Sequence, residues 1–139
     1  MMKRFIENLL ESDGGWLIVR LLLLVIFISS GLAKLLDFEG SLAEMRAAGL
    51  HPDWLFNIAS ALVLLSGSAL ILFDRFVWLG AGMLSVFLFF TIVMVHTFWL
   101  FSGDVAKISL YFALEHTTVI GGLMATAIAS HLRKKIKSK

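Results

Sequence analysis

Residues 15–36 read GWLIVRLLLLVIFISSGLAKLL, a run that is apolar apart from Arg20 and Lys34, one near each end. A hydrocarbon core about 30 Å thick takes roughly 20 apolar residues of helix, and an open chain in lipid satisfies its own backbone only as a helix. This run is therefore read as a membrane span. The rest of the chain follows suit: 59% of its 139 residues are hydrophobic, 16% are charged, and the mean hydropathy is +0.91. Such a composition makes lipid rather than water the main solvent, and the length allows about four spans.

Three more spans are expected, over 54–73, 76–99 and 108–129, followed by a basic tail at 130–139. The single domain 1–139 is thus an all-α membrane protein, a four-transmembrane-helix antiparallel bundle. The connector DFEGSLAEMRAAGLHPD between the first two spans carries Leu42, Met45 and Leu50 at spacings that suit a short interfacial helix. Asp74 and Arg75 make a turn tight enough to force antiparallel neighbours. Trp16, Trp54, Trp78 and Trp99 fall near span ends, as an aromatic belt requires. The first apolar run is too long for a removed signal peptide and lacks a small-residue cleavage site.

Orientation follows from the cations. Lys3, Arg4, Arg75, Arg133, Lys134, Lys135, Lys137 and Lys139 lie on one side, against Lys34, Arg46 and Lys107 on the other. The positive-inside rule then puts both termini in the cytoplasm. The tail reads as a topology signal attracted to anionic lipid rather than as a nucleic-acid patch.

No cysteine is present, which excludes disulfides, thiol redox chemistry and thiolate metal sites in this chain. No nucleotide loop or hydrolase nucleophile motif occurs either. Charges inside spans are costly, so those present point to function. Arg20, Leu24, Phe27, Gly31 and Lys34 share one stripe of the first helix, and Asn57, Ser60, Leu64 and Gly67 one of the second. Gly82, Ser85, Phe89, Ile92, His96 and Trp99 form the expected inward stripe of the third; Tyr111, Glu115, Thr118, Gly122, Ala125 and Ala129 form that of the fourth. Depth along these helices brings Lys34, His96, Trp99, Tyr111, Glu115 and His116 together as a candidate ligand pocket in the outer half, with Glu115 paired to Lys34. Arg20, near the other side, is the structural intramembrane charge. His96, His116 and Glu115 are residue types that hold iron or zinc, but neighbours on a helix point about 100° apart, so no metal site is expected.

The span from Arg20 to Ser30-Gly31-Leu32-Ala33-Lys34-Leu35 resembles the DoxX family of small bacterial membrane proteins. Gly49 to Pro52, Ser66-Gly67, His96-Thr97-Phe98-Trp99 and Gly121-Gly122 occur in the family's order. The chain departs from the pattern at Val63, where an acid is common, and at Glu115-His116, where Lys-Asn is usual. The resemblance implies a four-helix bundle linked to respiratory or sulfur redox chemistry, since relatives resemble a thiosulfate:quinone oxidoreductase subunit or belong to oxidative-stress complexes. An accessory or ligand-binding subunit of a membrane redox system is the expected function, with quinone as the candidate cofactor and redox subunits or a homo-oligomer as candidate partners. The competing expectation is a structural or stress-response membrane protein that acts through partners and lipids.

Overall fold

A computed structural model describes residues 1–138; Lys139, the last cation of the basic tail, lies outside the described residues. The described residues form six α-helices: α1 (Met2–Glu11), α2 (Asp13–Leu36), α3 (Phe38–Ala47), α4 (Asp53–Leu72), α5 (Val77–Met94) and α6 (Gly103–Lys137). Four of them, α2, α4, α5 and α6, are long and apolar enough to cross a membrane. The long helices neighbour one another in chain order, and α6 packs chiefly on α5. Both termini share one end of the bundle, where Arg133 and Lys137 of α6 reach Asp13 at the start of α2. This is called the terminal end; α3 and the segment after α5 lie at the far end.

Close backbone approach fixes the α4–α5 pair. A Cβ added at Gly80 would stand 2.6 Å from the Gly67 carbonyl oxygen, so only glycine lets the two helices meet there. Gly31 plays the same part between α2 and α4, where an added Cβ would lie 2.8 Å from Leu65. Around these contacts Leu24, Phe27, Leu64, Ile71, Leu84 and Leu123 form a closed core.

The inward stripe expected for α2 is buried throughout, joined by Trp16. On α5 the buried face is instead Val77, Gly80, Ala81, Leu84 and Leu88, and Gly82 meets open space. The inward face of α6 is Ser109, Ala113, Leu123, Thr126 and Ser130, in its lower half one residue, or about 100°, from the expected Gly122, Ala125 and Ala129. Polar residues occur on several faces of α6, so polarity alone does not identify the packed side.

The third crossing segment, Val77–Leu100, keeps the expected bounds, but its α-helix stops at Met94 and Phe98–Leu100 forms a separate 3-10 turn, so His96 and Trp99 sit beyond the regular helix. Helix α6 continues unbroken through the basic tail to Lys137, and at 35 residues it is roughly 52 Å long, more than a membrane requires. An element absent from the sequence reading is α1. It puts Met2, Phe5, Ile6, Leu9 and Leu10 on one side and Lys3, Arg4, Glu7 and Glu11 on the other, with no residue buried in the bundle. That pattern suits a helix lying in the membrane interface.

Candidate functional site

At the terminal end the buried polar groups are used up by one another. Helix α4 ends in a Schellman turn: the Arg75 amide donates to the Leu70 carbonyl and the Asp74 amide to that of Ile71. The left-handed position of this turn usually holds glycine, yet it holds Asp74 at φ 53°. The side chain accounts for that. Its carboxylate accepts hydrogen bonds from the Trp16 indole at 3.1 Å and the Ser130 hydroxyl at 2.8 Å, and pairs with Lys134 at 3.4 Å. Burial works to raise the Asp74 pKa, but these two hydrogen bonds and the charges of Lys134 and Arg20 outweigh it and hold the carboxyl below the ordinary range. Trp16 is therefore a buried ligand of Asp74 and not a belt residue.

Arg20, 7% exposed, lies beside this carboxylate. Its guanidinium donates to the Leu72 carbonyl at 2.7 Å, to Ile71 at 3.2 Å and to Trp16 at 3.3 Å, and stacks over the Trp16 ring. The two α4 carbonyls belong to the helix's last turn, the negative end of its dipole, which offsets the cost of a buried cation. Arg133 does the same for the end of α1, donating to Leu10, Glu11 and Ser12 carbonyls.

The far end is built differently. Lys34 is 8% exposed, and its ammonium pairs with Glu44 of α3 at 3.3 Å, not with Glu115. Asn57, fully buried on α4, donates to the Lys34 carbonyl at 2.9 Å and pins the last turns of α2. Asp37 caps α3 by accepting from the Gly40 amide, and Gly49, at φ 73°, closes it in a second Schellman turn. Arg46 then ties α3 to Asp53 at the start of α4. These contacts lay α3 across the far end. Beneath it is a cavity of about 630 Å³, walled by Met45, Leu50, Phe56, Phe87, Phe90 and Met94, with Lys34, Glu44, Ser60 and Thr91 as its polar groups.

The six expected pocket residues do not form one pocket. Lys34 belongs to the cavity under α3. His96 and His116 meet elsewhere, between the α5 end and α6, with ring centroids 4.9 Å apart, and Phe112 stacks on His96 at 5.1 Å. Trp99 packs edge-on against Phe98 and is exposed; Tyr111 and Glu115 lie on the exposed face of α6. The separation has two causes: Glu44 takes Lys34, and the rotation of α6 turns Glu115 outward while leaving His116 half-buried. Among the described residues no three metal-ligating side chains converge. The sequence marks α3 as a short interfacial helix, but nothing local in it shows that Glu44 docks on Lys34 or that Phe56, Phe87 and Phe90 of α4 and α5 wall the space beneath.

The cavity's polar and apolar groups come from α2, α3, α4 and α5, and these lie within residues 15–97, which match the DoxX family model. Comparison with curated proteins and with solved structures finds no match. The matched segment covers more than half of the chain and includes the Arg20 and Lys34 stripe, the α3 lid and the glycine contacts that set the bundle: the chain belongs to the DoxX family.

Proposed function

We propose that this DoxX protein is an accessory, ligand-binding subunit of a membrane redox system, holding a quinone or a similar amphipathic molecule in the far-end cavity. The observation that carries the reading is the cavity's make-up: about 630 Å³ of aromatic and methionine-lined space with a buried lysine as its one cation among the described residues. Small-molecule sites have this composition, apolar walls with a few placed polar groups. Lys34 supplies a donor for a ligand carbonyl, and Glu44, with its side chain 69% exposed, can turn to water as the ligand oxygen takes its place on Lys34. The ring or tail of the ligand then packs among Phe56, Phe87, Phe90 and Met94. Of the residues expected at the ligand from sequence, Lys34 stays in this proposal; His96, Trp99, Tyr111, Glu115 and His116 do not.

We assign the protein to the bacterial inner membrane on its DoxX membership, and both termini to the cytoplasm on the eight-to-three distribution of cations. Reporters after the tail and near Gly103 test this, and an external tail would overturn it. The ligand reading is tested by purifying the protein in lipid nanodiscs, extracting bound small molecules and titrating a short-chain benzoquinone. Binding by the wild type that weakens about tenfold in Lys34→Met supports the reading. Equal binding by both, or none by either, contradicts it.

Glu115 favours a second reading, in which the protein acts through partners. It is an ionisable side chain on the exposed face of a spanning helix, beside Tyr111 and Thr118. Such a group is costly against lipid and is ordinarily covered by protein. A subunit or a second copy seated on this face would satisfy it, and Glu115→Leu would then disperse the assembly on size-exclusion chromatography in mild detergent.

A further inference from the structure

The terminal end holds a second cleft, of about 970 Å³, between the α4–α5 turn and the last turns of α6. Its polar rim carries Arg75 and Lys134, and its apolar wall includes Phe76, Trp78, Ile128 and Leu132. Trp78 is 68% exposed and Ile128 59% exposed, so this wall opens sideways from the bundle at the level where spans end. In a bilayer the material beside such a wall is lipid, with the chain on the apolar part and the headgroup at the rim.

Charge decides which lipid. Asp74 also borders the cleft, but its oxygens are engaged by Trp16, Ser130 and Lys134. Lys134 thus offsets Asp74, whereas the exposed Arg75 guanidinium has no hydrogen bond or ion pair among the described residues. The fixed charges of Asp74, Arg75 and Lys134 leave the rim, which His131 also lines, with the net charge of a single cation, and this complements one phosphodiester and repels a headgroup that carries its own ammonium. Arginine also presents the forked donors that suit phosphate oxygens. Basic pockets at the helix ends bind anionic headgroups on this physical basis.

We propose that this cleft is a binding site for an anionic phospholipid of the leaflet beside the two termini, its phosphodiester held by Arg75, and one acyl chain lying along Trp78 and Ile128. The strain of the turn fits this role. Phe76 adopts φ 53°, a left-handed conformation that non-glycine residues rarely take, and it does so between Arg75 on the rim and Trp78 on the wall.

The test uses the full chain in nanodiscs of phosphatidylglycerol and phosphatidylcholine in equal amounts with matched acyl chains, and counts the lipids retained in native mass spectrometry. Wild type is expected to retain phosphatidylglycerol preferentially, Arg75→Gln to lose about fivefold of that preference, and Lys107→Gln at the far end to keep it. Arg75 is exposed and unpaired, so its replacement leaves the fold in place. The proposal is overturned if Arg75→Gln keeps the preference or if both variants lose it equally, the mark of diffuse attraction. It is also overturned if inorganic phosphate strips the bound lipid, which would make this a site for free anions.

Discussion

The two ends of the bundle solve the problem of a buried cation in opposite ways. At the terminal end Arg20 is held by three backbone carbonyls beside a carboxylate that is itself bound by Trp16, Ser130 and Lys134. At the far end Lys34 has one side-chain partner, Glu44, and that partner is mostly exposed. The two Schellman turns repeat the contrast. The turn after α3 uses Gly49, where only backbone freedom is needed; the turn after α4 uses Asp74, which accepts backbone strain because its side chain organises three helices. A saturated network resists change, whereas a singly paired cation beside a cavity is free to meet a ligand. The terminal end is therefore the frame and the far end the proposed site.

The largest effect should come from breaking the frame. Asp74→Ala leaves the Trp16 indole and Ser130 hydroxyl unpaired and Arg20 without its neighbouring anion, a loss of about 3 kcal/mol in unfolding experiments in detergent. Asp74→Gly should remain nearly as unstable even though glycine is the usual residue at this backbone position. Full stability in Asp74→Gly would mean that conformation and not the carboxylate matters. Glu44→Gln at the far end should cost less than about 1 kcal/mol. Comparable losses at both ends would erase the contrast.

The helix contact next to the frame gives a smaller effect. Gly80→Ala pushes a methyl against the Gly67 carbonyl oxygen, which is backbone and cannot move aside, and should destabilise by about 2 kcal/mol. Gly82→Ala, two residues on, meets no atom within 4 Å and should be neutral or slightly stabilising. Gly122→Ala has only an ordinary contact with Leu23, so Gly80 and not Gly122 is the sensitive position. Equal tolerance at Gly80 and Gly82 would mean that α5 is turned differently against α4.

The smallest effect is in pH. The Asp74 carboxyl is held below its ordinary value of 3.8 in the fold, so its stabilisation is complete above that value and fades as pH falls through the lower, folded one. A melting series from pH 6 downward should show a loss beginning near pH 4 that is diminished in Asp74→Asn. An unchanged acid profile in that variant would remove Asp74 as a source of the acid sensitivity.

The frame and the site differ in how far the sequence foretells them. Two cations spaced at helical intervals in an otherwise apolar run mark one face of α2, and that face is the buried one, Trp16 to Lys34. Asp74 is visible only as a turn residue, because its partners Trp16 and Ser130 lie 58 and 56 positions away. The cavity was half legible: Lys34 stands out as an intramembrane charge, but Glu44 lies on a connector helix whose docking depends on Asp37, Gly49 and Arg46. On α6, Tyr111, Glu115 and Thr118 repeat at helical spacing yet face outward, since packing with α5 and the Ser130–Asp74 bond set its rotation. The amphipathic spacing of Phe5, Ile6, Leu9 and Leu10 was present in the sequence and sufficient to find α1.

The division into frame and site is tested most directly by photolabelling the protein in nanodiscs with a light-activated benzoquinone analogue and mapping the modified peptides. Labels are expected on α3, α4 and α5 peptides containing Met45, Phe56 or Met94, competed away by unlabelled quinone and lost in Lys34→Met. Specific labelling confined to α6 around His116 and Glu115, or to the terminal end around Asp74, would contradict that division.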